Sequence, residues 1–217
     1  MNVLVVAATE GEVLLFKNYI ESMAGNTAGE TLISLLITGV GGIAATYSIT
    51  KALLSNNYDF ALQAGVGGSF NKEIQLGEVV QVMSERYGDL GAEGHDAYLD
   101  IFDMGLIAAD AAPHTAGKLP APGLPAFEKC QLRKVSGLTI NMVSGNERTI
   151  AHRAQKYNCD IESMEGAAFH YVCLLQGVPF AQVRAISNYV TPRDKSQWKM
   201  KEAVENLNEW LVGFFSR

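Results

Sequence analysis

The 217-residue sequence is short of several things, and each shortage removes a class of protein. Its three cysteines, Cys130, Cys159 and Cys173, are an odd number without metal-type spacing. That excludes a disulfide framework and a zinc module, and it suits buried, reduced thiols in a cytoplasmic protein. The four histidines, His95, His114, His152 and His170, form no metal pattern either, so no metal or other cofactor is expected. Positive charge is scarce: 17 Lys and Arg stand against 23 Asp and Glu, a net charge of -6. Nucleic acid and anionic membranes are therefore not expected partners, because both require a basic patch. No apolar run approaches the roughly 18 residues of a membrane span. "MNVLVVAATEGEV" has no basic stretch before a long apolar core, so no signal peptide is expected. A G-x-S-x-G elbow, a P-loop with its Lys, and a GxGxxG with a properly spaced acid are all missing.

What is present fits a single globular domain working on a small molecule. Hydrophobic residues make up 48% and charged residues 18%, and the 21 glycines point to tight turns and close backbone approaches. Val3 to Ala8 reads as a strand, and the spacing of Val13, Leu14, Phe16 and Ile20 predicts a helix after it. "ETLISLLITGVGG" and "YDFALQAGVGGSF" each read as a strand running into a glycine turn, with a helix over "IAATYSITKALLSNN" between them. Further strands are expected at "EVVQVMSERYGDLG" and "KVSGLTINMVSGNERT", then a helix over "RTIAHRAQKYN". A helix should begin near Met164 and end at Gly177, and an amphipathic helix should close the chain from Trp198 to Phe215. This alternation argues for an α/β architecture with much parallel sheet. Residues 91 to 127, without a clean period, are expected to form a lid, a subunit contact or a solvated loop.

Three places carry candidate chemistry. Ser187 and Asn188 end the buried run "FAQVRAIS" and are either binding groups at a carboxyl-end crevice or a local turn. Glu12, just past the first strand, is either a general base in that crevice or an acid placed against a helix amino terminus. Glu165 sits among Met164, Gly166, Ala167 and Ala168, so its burial calls for a partner, and a ligand hydroxyl would serve. The turns "TGVGG", "AGVGGS" and "VSGNE" offer backbone N–H groups to a sugar or anion, or are simply tight turns.

In order, "VVAATEGEV", "ITGVGG", "LQAGVGGSF", "LGEVV", "VSGNE", "SMEGAAFHYVC" and "PFAQVRAISN" resemble the nucleoside phosphorylase and nucleosidase superfamily. The match runs through most of the chain and is weakest between Gly91 and Phe127; its specific part is "MEGAA" followed by "VRAISN". The resemblance implies a three-layer αβα sandwich around a mixed, partly barrel-like sheet, assembled as a homodimer or larger homo-oligomer. It implies a purine nucleoside as substrate and water as co-substrate. Glu12 matches the glutamate that activates the water, and Glu165 the acid that binds ribose hydroxyls, with Met164 beneath the sugar. Val66, Gly67 and Ser187 fall among the substrate-binding positions, and Arg184 takes a supporting role. Asn188 falls where adenine-releasing nucleosidases carry Asp, facing the purine N7 edge. An amide presents donors and an acceptor together, which suits a 6-oxopurine leaving group. "VMSERYGDLGAEG" with Asn188 resembles the branch of hydrolases that release hypoxanthine from a nucleoside bearing a benzoate. Arg86, His95, His114 and the aromatics of the insertion are candidates to meet that benzoate. Arg148 replaces an aromatic found in adenine-specific relatives, and either stacks on the purine or faces elsewhere. Phosphorolysis is disfavoured, because the chain has no Arg before Arg86 and no basic residue in its first two glycine turns.

Overall fold

The computed structural model describes the chain except residues 24, 26, 29, 95, 96 and 217 and the side chains of residues 27 and 28. His95, a candidate for the benzoate, lies outside the described residues. The chain opens with β1 (Asn2–Ala7), α1 (Leu14–Glu21), β2 (Thr27–Ala28), β3 (Thr31–Ile37) and α2 (Gly42–Ser55). It continues through β4 (Phe60–Ser69), β5 (Val79–Tyr87), β6 (Gly91–Glu93), β7 (Tyr98–Asp100), β8 (Leu119–Pro120) and α3 (Pro125–Glu128). It ends with β9 (Arg133–Thr139), α4 (Glu147–Tyr157), β10 (Ile161–Ser163), α5 (Gly166–Gln176), β11 (Phe180–Tyr189) and α6 (Met200–Phe215).

Five strands close on one another in the order β4, β11, β5, β9, β10, because β10 pairs with both β9 and β4. The barrel is mixed: β11–β5 and β10–β4 are antiparallel and the other three pairings parallel. From β4 an open wing extends through β1, β3 and β2. Both faces of the wing are covered. Val3 and Val5 pack with Phe16 of α1 and with Leu207 and Leu211 of α6, while Leu4 and Val6 pack with Ile49 of α2 and Phe169 of α5. A strand buried on both faces reads as a continuous apolar run, as "VLVVA" does. The result is the α/β three-layer sandwich, with a partly barrel-like central sheet, that the resemblance implied.

The position of the site follows from a fork at β4. One edge of β4 pairs with β11 along most of its length. The other edge pairs with β1 over Phe60–Gln63 and with β10 at Gly68 and Ser69, so residues 64 to 67 face neither strand. A cleft opens where β1 and β10 diverge. The glycines of "AGVGGS", expected as a turn, lie inside β4 itself. The physical reason is crowding by neighbouring strands: a Cβ at Gly65 would stand 2.5 Å from the Arg184 side chain at Nη1, and one at Gly67 would stand 3.0 Å from the backbone carbonyl oxygen of Glu162. In "TGVGG" the turn is real, with Gly39 and Gly41 at φ of 84° and 92°, where glycine is favoured.

Two further expectations shift. Leu14 is exposed while Val13, Phe16 and Ile20 are buried, because the first helix begins only after a 3-10 turn over Glu10–Glu12. The closing helix starts at Met200, since a second 3-10 turn over Lys195–Gln197 turns the chain first and leaves Trp198 on the cleft wall. The described residues between 91 and 127 are anchored at several points: β6 pairs with β7, β8 pairs with β5, and the His114 ring is buried against Tyr87, Phe102 and Tyr171. Among the described residues, no helix is long and apolar enough to cross a membrane.

Candidate active site

The fork leaves Val66 with its N–H and C=O turned toward the open edge of β4, and side chains satisfy them in place of a strand. Val66 N–H donates to Glu12 Oε1 at 3.1 Å, and Val66 O accepts from Arg184 Nη1 at 3.3 Å. The other oxygen of Glu12 accepts from the Thr9 N–H at 2.9 Å and the Thr9 hydroxyl at 3.0 Å. Glu12 is thus both the last residue of a capped 3-10 turn and a half-buried carboxylate on the cleft wall. The same carboxylate therefore closes the turn at Thr9 and faces the cleft.

Glu165, 4% exposed, precedes the first residue of α5. Its Oε1 accepts from the Gly41 N–H at 3.0 Å, and its Oε2 lies 3.6 Å from Arg184 Nη1. Arg184, 1% exposed, ties Glu165 to Val66, and among the described residues its Nε and Nη2 find no hydrogen-bond partner. The partner that burial of Glu165 demands is therefore this guanidinium together with one backbone amide. Behind them Glu85 is fully buried, accepting from Gln182 Nε2 at 3.0 Å and from the Thr139 hydroxyl at 2.9 Å. Burial pushes the Glu85 carboxyl up to about 7 against these bonds and the nearby Arg184 charge. A Cβ on Gly166 would fall 1.9 Å from Glu85 Oε1, which is why glycine follows the acid in "MEGAA".

At the other end of the cleft the polar groups come from three segments. Ser187 donates to Asn188 Oδ1 at 2.8 Å, and Asn188 Nδ2 donates to Tyr189 O at 3.0 Å. Glu162 of β10, 4% exposed, accepts from the Ser144 N–H at 3.1 Å and the Ser144 hydroxyl at 2.6 Å. Ser144 in turn accepts from Arg153 Nη1 at 2.8 Å. Burial raises the Glu162 carboxyl above its ordinary range, while the two bonds from Ser144 and the charge of Arg153 oppose this.

One cleft of about 300 Å³ therefore gathers Glu12, Val66, Gly67, Met164, Glu165, Ser187 and Asn188. Arg184 lies behind its wall. Arg148 lies in the first turn of α4, exposed and outside the cleft lining. Arg86, which donates to Ala116 O, and His114, held between Tyr87 O–H and Ala111 O, also lie away from it. Glu162 and Glu85 are not among the candidate residues expected from the sequence. Each had a signal, an acid inside an otherwise strand-like run, and both are buried, in β10 and β5 respectively. Among the described residues, no group of three or more His, Cys, Asp or Glu is placed to hold a metal.

A closed mixed barrel with a wing, and a cleft at the fork between them carrying three carboxylates held by backbone amides, define a class of small-molecule enzyme. The chain belongs to the phosphorylase superfamily, which it matches over residues 3–216. It is 32% identical to the futalosine hydrolase of Streptomyces coelicolor over 182 residues, covering 81% of this chain and 75% of that one. It is also 32% identical to the futalosine hydrolase of Thermus thermophilus, over 185 residues, covering 79% and 76%. Its fold matches the crystal structure of a 5'-methylthioadenosine/S-adenosylhomocysteine nucleosidase from Colwellia psychrerythraea in complex with adenine. There the TM-score is 0.82 at 17% identity, over 99% of this chain and 94% of the other.

Proposed function

We propose that the protein hydrolyses the N-glycosidic bond of futalosine, releasing hypoxanthine and dehypoxanthine futalosine, as a step of menaquinone biosynthesis. The observation that carries this reading is the cleft itself, with Glu12 and Glu165 on its wall beside an amide, Asn188, at the position that the resemblance assigns to the purine N7 edge. Cleavage leaves an oxocarbenium-like sugar and negative charge on the base, so the useful contacts are those that strengthen as that charge develops. Glu12 accepts a proton from water as its oxygen bonds to the anomeric carbon. Glu165 accepts from a ribose hydroxyl and is positioned by Arg184. Met164, Val66, Gly67 and Ser187 surround the sugar. Asn188 donates to N7 or to the 6-oxo oxygen of the departing hypoxanthine, which then takes up a proton from solvent.

Water is the favoured nucleophile on electrostatic grounds. A phosphate needs cations beside the sugar, and among the described residues Arg193 is the one cation on the cleft wall. Its guanidinium lies 5.7 Å from the centre of the Trp198 ring. The reaction belongs in the cytoplasm, in a homodimer or larger homo-oligomer, for which the exposed apolar residues Ile43, Tyr47 and Leu54 of α2 speak.

Chromatography of the base released from futalosine, inosine and methylthioadenosine in phosphate-free buffer tests the reading. Hypoxanthine from futalosine is expected. Adenine release, or a strict requirement for phosphate, would assign the protein to another branch, and binding without turnover would make it a nucleoside-binding protein.

A further inference from the structure

Gly68 is the centre of a slot. In the sheet it lies directly opposite Glu162 of β10 on one side and opposite Asn188 of β11 on the other. Neighbouring strands run about 4.8 Å apart, so the two flanking Cα atoms stand roughly 10 Å apart across it. Both side chains lean over the glycine: a Cβ built there would be 3.1 Å from Asn188 Nδ2 and 3.6 Å from Glu162 Cγ. Both residues line the cleft. The buried Glu162 side chain and the half-buried Asn188 amide thus converge beside Gly68, with Val190 Cγ2, also 3.1 Å from that position, forming a third side of the slot.

The chemistry of the two groups is complementary to one kind of base. A 6-oxopurine has a hydrogen on N1 and an acceptor at O6; a 6-aminopurine has an acceptor at N1 and donors on its amino group. A carboxylate accepts only, and an amide nitrogen donates. We infer that Glu162 is a specificity-determining residue, accepting from N1–H of the 6-oxopurine while Asn188 donates to its O6 or N7 edge across the Gly68 slot. Each Glu162 oxygen receives one hydrogen bond from Ser144 and has lone-pair capacity left for a second donor. The Ser144 bonds also fix the carboxylate's direction. Against adenine the same carboxylate would face the N1 lone pair, and a buried mismatch of this kind discriminates more strongly than a missing contact does.

The inference deepens the proposed reading and rests on it for the identity of the base. The test compares hydrolysis of futalosine with that of its 6-amino counterpart by the wild-type protein and by Glu162→Gln. Loss of a charge-assisted bond is worth about 10- to 100-fold. The Gln variant should therefore lose about that factor in kcat/KM on futalosine and keep or gain activity on the 6-amino substrate. An equal loss on both substrates would make Glu162 a clamp for the Ser144 loop and overturn the inference. Ser144→Ala separates the roles: it loosens the loop, keeps the carboxylate, and should retain the 6-oxo preference. Should Glu162→Gln fail to fold, binding of hypoxanthine and 1-methylhypoxanthine to the wild-type protein decides. The methylated base should bind at least about tenfold more weakly, and equal binding overturns the inference. A wild-type protein that prefers the 6-amino substrate would defeat the proposed function and this inference together. Hypoxanthine release with an unchanged base ratio in Glu162→Gln would defeat the inference alone.

Discussion

The two ends of the cleft hold their carboxylates alike in one respect and differently in another. Glu12 and Glu162 each accept from the N–H and the hydroxyl of one residue, Thr9 and Ser144 respectively. Glu12 and Glu165 are tied in addition to segments distant in the chain, Glu12 to the Val66 amide and Glu165 to the Gly41 amide and Arg184. The hydrogen bonds to Glu162 come from the Ser144 loop, and those of Asn188 are made with its neighbours Ser187 and Tyr189. The first end is thus fixed by the fold as a whole, and the second by a loop and a strand end. We read the first end as the place of the chemistry and the second as the place where the base is chosen, and the division can be broken from either side.

The largest effect is expected at the chemical end. Glu12→Gln removes the proposed base and should lower kcat by about 10³-fold, read in steady-state assays, with substrate binding largely retained. Gly65→Ala is nearly as informative, because its Cβ would stand 2.5 Å from Arg184 Nη1 and 2.9 Å from Glu12 Oε1. It should displace both and lower turnover by about 10²-fold without altering the ratio of bases accepted. The matching change at the other end, Gly68→Ala, puts a Cβ 3.1 Å from Asn188 Nδ2 and should act on that ratio. Asn188→Asp should move preference toward adenine nucleosides. Competition assays with paired substrates check both, and an unchanged ratio in both variants would show that the ends are not separate.

The smallest effect concerns stability, behind the wall. Glu85 keeps its proton up to about pH 7 in the fold, against 4.5 for the free side chain. As pH rises through 4.5 the unfolded chain releases this proton first, so Glu85 makes the fold less stable between pH 4.5 and 7. The contribution is complete below that window and falls by a few kcal/mol across it, at about 1.4 kcal/mol per unit. His170, buried and neutral with its value held down to about 4, works in the opposite sense and costs stability as pH falls below 6.5. Glu85→Gln, neutral at every pH, should flatten the first trend and leave the second, measured as urea midpoints at pH 5 and pH 7.

Much of this was legible beforehand because local pattern and burial agree over most of the chain. The two-faced run "VLVVA", the helix ending at Gly177 and the glycine turn before α2 follow from period and punctuation. Glu12 stood out by its place just past the first strand, and Glu165 as an acid among apolar and small residues. The glycines of β4 were misread as a turn because their cause lies in residues far off in the chain, the side chains of Arg184, Glu12 and Asn188 and the backbone of Glu162, which need the room. Glu162 was missed for the same reason: its significance comes from standing opposite Gly68 and near Asn188, and only the barrel's closure brings those together. The stretch from 91 to 127 showed no period because its described residues are held by scattered contacts, among them the β6–β7 pairing, the β8–β5 pairing and the His114 ring against Tyr87 and Tyr171.

The most direct test of the account is futalosine hydrolysis without phosphate by the wild-type protein and by Glu12→Gln, together with an equilibrium measurement of futalosine binding by both. The account predicts hypoxanthine from the wild type, and from Glu12→Gln a turnover lower by about 10³-fold with binding kept within about tenfold. A Glu12→Gln protein that turns over like the wild type, or a wild type that waits for phosphate, would contradict it.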